Sequence, residues 1–328
     1  MKRTLSIIAC ICCLGIAFAT LAACTKSTES SSASIESSSV EVESDSSSQQ
    51  FSQVSDSSIS SAGNEQLLKD IKSIVKKSGM QMGVCAIDLR SGAHVDVNGD
   101  TRMVAASMIK LIVAASFLQY VEDGKASLKD SYTLKESDIV GGTGSIGGLG
   151  EGAEVTYGKL LEKMISESDN TAANILIDEM GMGLVNRTAR ELGLSSTKLN
   201  RLMMDEQAIE EGVENYVSAN DVAMILELAY SGQLVSAKAS KTLISALEKQ
   251  TEKDGILQGL PRTVKLAHKT GSLTNAQHDG GIVEDPNGHD FILVVLCGGK
   301  GYSQDSALEA MKKIGKAAYD DIVGAKAA

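Results

Sequence analysis

A serine followed three positions later by a lysine can become a nucleophile, provided the amine is kept neutral. Ser107 and Lys110 have that spacing, which on a helix puts both side chains on one face. An ammonium cannot accept a proton, so the lysine needs apolar surroundings or the positive end of a helix dipole. Leu111-Ile112-Val113 supplies the first, and a helix opening near Ser107 supplies the second. The chemistry this permits is attack of an activated serine on a carbonyl. The spacing alone is weak, because Ser73/Lys76 and Ser195/Lys198 repeat it. Only Ser107 opens an apolar helix with two further motifs downstream, Ser168-Asp169-Asn170 and Lys269-Thr270-Gly271. They add a second hydroxyl to shuttle a proton, and a cation on a strand to hold an anionic substrate.

Each motif also has a plain structural reading. Asp169 or Asn170 before Thr171-Ala172-Ala173 suits a helix N-cap, and the Ser168 turn falls between two predicted helices. Lys269-Thr270-Gly271-Ser272 ends an apolar strand. There Gly271 lacks the side chain that would keep a substrate off the strand edge.

With these three motifs in this order and at these intervals, the chain resembles the penicillin-recognising serine acyltransferases, and the class A β-lactamases most closely. The resemblance covers most of residues 64–328. It implies that Ser107 is acylated, with Lys110 as its base, and that Ser168 passes the proton to the leaving nitrogen. It also implies that Asn170 bonds Lys110 and the substrate amide, and that Asp169 holds the turn through backbone amides. Lys269, Thr270, Gly271 and Ser272 would bind the substrate, and the N–H groups of Ser107 and Ser272 would form the oxyanion hole.

One part of that family's machinery is missing. Placing its Leu-x-Arg on Leu199-Asn200-Arg201 puts Met203 where a glutamate activates the deacylating water. The nearest substitutes are Glu206, in Glu206-Gln207-Ala208-Ile209-Glu210, and Asp205; both also fit a solvated acidic loop. Loss of such a base commonly costs about 10²–10⁴-fold in rate. The expectation is therefore a class A β-lactamase-type hydrolase with slow deacylation. The alternatives are a D,D-peptidase-like cell-wall hydrolase and a non-catalytic lipoprotein that binds wall peptides. The intact set Ser107, Lys110, Ser168 and Lys269 argues against the last.

The pattern along the chain predicts elements able to position these groups. An amphipathic helix over 64–78 precedes strands near 82–89 and 93–98, and a helix apolar all round runs from Ser107 to about Val121. Helices follow near 156–166, 171–180, 184–192, 219–231 and 237–249. The chain then returns to strands near 263–270, 278–284 and 290–297 and closes with a helix over 304–322. The fold class expected is α/β (α+β): an antiparallel sheet from the N- and C-terminal segments, flanked by helices, with an inserted all-α lobe. The α/β lobe takes about 64–100 and 252–328, and the all-α lobe about 101–251.

The N-terminus carries a different message. Met1-Lys2-Arg3 and an apolar run to Ala23 make a secretory signal, closing in Leu21-Ala22-Ala23-Cys24. That is a lipobox pattern, with Cys24 as the lipidation site and an extracytoplasmic, membrane-anchored protein as the consequence. Residues 25–63 hold 18 serines in 39 positions, too little apolar surface to fold. As a coil this tether spans about 35 Å.

The net charge of −11 and the lack of tryptophan argue against nucleic acid, which needs basic stripes. The expected partners are a β-lactam or wall-peptide substrate and the lipid anchor, with the protein a monomer. No cofactor is called for, and no metal: the histidines lack ligand spacing, and Cys85 and Cys297 are too few for a cage. Those two cysteines suit small buried hydrophobes. A disulfide between them remains open, since the family resemblance puts their strands side by side. Gly142-Thr143-Gly144-Ser145-Ile146-Gly147 fits a dinucleotide pattern, but it leads into more glycines rather than a helix, as a flexible loop at the cleft rim would.

Overall fold

The protein's structure, a computed structural model, describes residues 62–324. The signal segment, Cys24 and nearly all of the serine-rich tether lie outside the described residues. A five-stranded antiparallel sheet forms the frame, in the order β2-β1-β9-β8-β7. Its strands are β1 (Gln81–Asp88) and β2 (His94–Val97) from the front of the domain, and β7 (Lys265–Leu273), β8 (Ala276–Glu284) and β9 (Phe291–Gly298) from the back. The two-residue pairings β3 (Met103–Val104) with β6 (Tyr216–Val217), and β4 (Ser131–Thr133) with β5 (Glu154–Thr156), lie between them in sequence.

Strand β9 shows why the sheet is buried on both sides. It is apolar throughout, and its side chains alternate between two cores. Ile292, Val294 and Leu296 join the core under the inserted helices. Phe291, Leu293, Val295 and Cys297 join the core under α1 (Ala62–Ser78) and α9 (Gln304–Ile322). Cys85 belongs to the first core and Cys297 to the second. Their strands are adjacent, as the resemblance implied, but Cys297 pairs with Met82 rather than Cys85. Both cysteines are free.

The inserted helices are α2 (Lys110–Glu122), α3 (Tyr157–Ser166), α4 (Asn170–Met180), α5 (Met182–Glu191), α6 (Glu206–Glu210), α7 (Ala219–Tyr230) and α8 (Ala237–Leu247). Helix α2 is buried from Lys110 through Leu118, as its unbroken apolar sequence requires. Two boundaries differ from the sequence expectation. A 3₁₀ turn over Ala106–Ile109 precedes α2, so Ser107 sits on the turn and Lys110 opens the helix. Strand β7 runs to Leu273, so Lys269-Thr270-Gly271 lies inside the strand rather than at its end. The hairpin turns only at Thr274-Asn275, and the polar character of Thr270 and Ser272 concealed that continuation.

Candidate active site

Helix α2 delivers Lys110 to the centre of the site fully buried. Its Nζ lies 2.6 Å from the Ser168 carbonyl oxygen and 2.7 Å from Asn170 Oδ1. It lies 3.2 Å from Ser107 Oγ and 3.3 Å from Ser168 Oγ. A neutral amine has two N–H donors and one lone pair. The two short contacts are to groups that only accept here, so they take both donors. The lone pair is left for the two hydroxyls. Burial holds the Lys110 ammonium well below the usual lysine range, repulsion from Lys269 adds to this, and Asp169 opposes it. The geometry is that of a base facing an alcohol.

The second hydroxyl is held by a strained turn. Ser168 has φ of 56°, a left-handed backbone that a non-glycine residue adopts at a cost. Asp169 pins it: Oδ1 accepts the Ala172 N–H at 2.8 Å, capping α4, and Oδ2 accepts the Ile146 N–H at 2.7 Å. Thr143 Oγ1 donates to the Ser168 carbonyl at 2.7 Å, and Asn170 Nδ2 donates to the Gly141 carbonyl at 3.0 Å. The glycine-rich segment is thus a brace laid over the Ser168 turn. A Cβ at Gly144 would fall 2.1 Å from Asp169 Oδ2, and one at Gly142 would fall 2.4 Å from Asn170 Nδ2. Its glycines serve close approach rather than flexibility.

Lys269 completes the cluster from β7. It is fully buried, donates to the Thr270 carbonyl at 2.6 Å and reaches Ser168 Oγ at 3.1 Å. Ser168 Oγ therefore bridges both lysines. Burial pushes Lys269 down to about 7, although Asp279 pulls the other way. The same Asp279 accepts from His268 Nδ1 at 2.8 Å and from the Ile256 N–H at 2.9 Å, so His268 is a structural neighbour. Gly271 has a different reason from the one its sequence suggested. A Cβ there would lie 3.1 Å from the Ser107 nitrogen and 3.2 Å from Ala106 Cβ. Glycine lets β7 press against the Ser107 turn, where Ala106 has φ of 45°. Thr270, Gly271 and Ser272 line the same cleft as Ser107, Ser168 and Asn170, and the Ser272 hydroxyl bonds Gln277 Oε1 at 2.8 Å.

The opposite wall is the segment from Leu199 to Asn215, and it is tied shut. Arg201 donates from Nε to the Val213 carbonyl at 2.9 Å and pairs with Glu214 at 2.8 Å. Asn215 Oδ1 accepts the backbone N–H groups of Asn200 and Arg201. At the centre, Asn174 of α4 clamps Met203 from both sides: its Nδ2 donates to the Met203 carbonyl at 3.0 Å, and its Oδ1 accepts the Met203 N–H at 2.8 Å. Met203 is buried and lines the cleft.

Neither proposed acidic substitute joins the site. Glu206 is exposed on the first turn of α6 and Asp205 caps that helix by accepting the Ala208 N–H at 3.1 Å. Neither is among the residues lining the cleft. Glu206 faces solvent and Asp205 is spent on the cap, which their spacing alone did not reveal. The carboxylates that do line it are Glu167, Glu214 and Glu252. Glu167 pairs with Lys163, which holds it below the usual carboxylate range. Glu214 pairs with Arg201, and Glu252 accepts the Lys253 N–H at 3.0 Å. Thr143 and Asn174 had no local sequence signal, because each acts by contact with a distant segment. Among the described residues, no group of three or more His, Cys, Asp or Glu could hold a metal.

A family model described as the beta-lactamase enzyme family matches residues 66–322. The β-lactamase PSE-4 of Pseudomonas aeruginosa is 25% identical over 279 residues, covering 80% of this chain and 92% of PSE-4. A β-lactamase structure from Sphaerobacter thermophilus superposes with a TM-score of 0.72 at 28% identity, covering 79% of this chain and 97% of its own. A structure of PBP-A gives the same TM-score at 25% identity, covering 77% of this chain and 94% of its own.

Proposed function

The chain belongs to the β-lactamase enzyme family as a serine β-lactamase-like hydrolase, and from that premise we propose that β-lactams acylate Ser107 quickly and leave it slowly. The supporting observation for the first half is the buried Lys110 between the two hydroxyls, with both its N–H donors committed elsewhere. The Ser107 O–H proton passes to the Lys110 lone pair as Oγ attacks the ring carbonyl. The negative charge on the carbonyl oxygen falls to the N–H groups of Ser107 and Ser272. The C–N bond then breaks, and the proton reaches the departing nitrogen through Ser168 Oγ. Lys269 and Thr270 take the substrate's anionic group.

The second half rests on Met203. Water attack on the ester needs a placed base, and the Asn174 clamp presents a thioether at that wall instead. Glu206 serves as no substitute from its outward position. The same observation favours a second reading, in which the substrate is a cell-wall peptide and the β-lactam a mimic that stays bound. By the same proposal, the leader and Cys24 anchor the domain outside the membrane on its serine tether.

The test is intact mass of the full chain during incubation with a fluorescent penicillin. A lasting single adduct that Ser107→Ala abolishes supports acylation. No adduct on the wild-type chain overturns it.

A further inference from the structure

Just upstream of Ser107, one peptide group is held at both ends. The Val104 carbonyl accepts from His278 Nε2 at 2.8 Å, and the N–H of the same peptide, on Ala105, donates to the Asn215 carbonyl at 2.7 Å. The first partner belongs to β8 and the second ends the loop wall. A trans amide points its oxygen and its hydrogen to opposite sides, so the two bonds fix the plane from which the chain enters its next turn. That turn is costly. Ala106 takes a left-handed φ of 45°, which a residue with a Cβ keeps only where its surroundings over-determine it.

His278 is buried, and it pairs with Gly271 in the β7–β8 register. Cross-strand partners share a face of the sheet. The glycine admits the Ser107 turn, and the histidine opposite ties down the strand that leads into it. Its partners also fix its tautomer. The Cys297 N–H donates to Nδ1 at 3.2 Å and the Val104 carbonyl can only accept, so Nε2 carries the proton. Burial pushes His278 down to about 4, against the pull of its backbone bonds, and the neutral ring keeps both contacts at neutral pH. His278 is not among the residues lining the cleft, so it acts on Ser107 only through the backbone.

We infer that His278 is a positioning residue for Ser107, holding the Val104–Ala105 peptide so that the strained Ala106 turn presents the serine hydroxyl to Lys110. This role rests on the proposed acylation at Ser107. Lys269 and Thr270 belong to β7, so releasing the turn slows the chemistry and spares substrate affinity.

The experiment follows adduct formation on the full chain by mass, with a penicillin and with an alkyl fluorophosphonate. The second probe reads the nucleophile by itself: an Oγ–P bond forms, the P–F bond breaks with loss of fluoride, and Lys110 takes the serine proton. His278→Asn is too short to reach Val104, and His278→Phe keeps a ring without an N–H, whereas His278→Gln returns a donor at about the original reach. With both probes, the maximal labelling rate of His278→Asn and His278→Phe should fall about ten- to hundredfold. The probe concentration at half-maximal rate should move less than about threefold, and His278→Gln should return to within about threefold of the wild-type rate. A merely structural histidine would lower the melting temperature and leave the maximal rate of the folded chain unchanged. That result overturns the inference, as does a His278→Gln chain as slow as His278→Phe, or failure of both severing variants to fold. Labelling of the wild type by the fluorophosphonate but not by penicillin overturns the proposed function, and the fluorophosphonate rates then decide the role of His278. No labelling by either probe overturns both.

Discussion

The two walls of the cleft are built to the same standard of order but equipped differently. On one wall, Lys110 reaches Ser107, Ser168 and Asn170, and Lys269 reaches Ser168, through contacts of 2.6–3.3 Å. On the other, Asn174, Arg201 and Asn215 spend at least as many hydrogen bonds holding a loop whose central side chain is a methionine. Rigidity is therefore no measure of catalytic equipment. Under the proposed mechanism, making an acyl-enzyme and breaking it are separable tasks that fall to different segments of chain. One segment can be complete while the other presents only shape.

The sharpest way to separate the walls is to disable each in turn. Lys110→Met should slow adduct formation at Ser107 by about 10³–10⁴-fold, as expected for loss of a general base. The mass time course checks this, and a loss below tenfold would assign the base elsewhere. Met203→Glu should do the reverse to the opposite wall. The Asn174 clamp acts on the backbone at 203, so it persists whatever the side chain. Loss of the adduct should accelerate by about 10²–10³-fold, with acylation changed only a few-fold.

Acidity tests the anion clamp. Lys269 is neutral above its value of about 7. Turnover efficiency on carboxylate-bearing donors should thus fall by about tenfold per pH unit above that point, while a neutral ester donor shows no such limb. The same lysine weighs on stability. Its unfolded form keeps the proton up to about 10.4, so between the two values the unfolded state binds more protons and stability rises with pH. Lys269→Met should accordingly be more stable than the wild type near pH 7, the gap closing toward pH 10 in thermal melts. The smallest effect is none: reducing agent should leave the melting temperature unchanged, because Cys85 and Cys297 lie on opposite faces of the sheet.

How much of this could be read along the chain depended on the range of the cause. Helix α2 was legible because burial on all sides leaves an unbroken apolar run, and Ser107 and Lys110 because three residues suffice to pair them. Ser168 and Lys269 were found through resemblance, their proximity being a matter of tertiary packing. The position of Met203 was visible in the sequence, but the clamp that gives it meaning joins α4 to a loop 29 residues away. The glycines of 142–144 misled for a related reason: their need is set by Asp169 and Asn170, which no local pattern contains. Short helix α6 hid within an acidic stretch and carried Glu206 away from the cleft.

In the proposed mechanism the first chemical step outruns the second, and rapid-mixing kinetics on one sample measures both. With a chromogenic β-lactam in excess, a fast burst of one product equivalent per chain is expected, followed by a steady rate at least about 10²-fold slower. Linear product release from the first turnover, at the speed of the burst and without adduct accumulation, would contradict it.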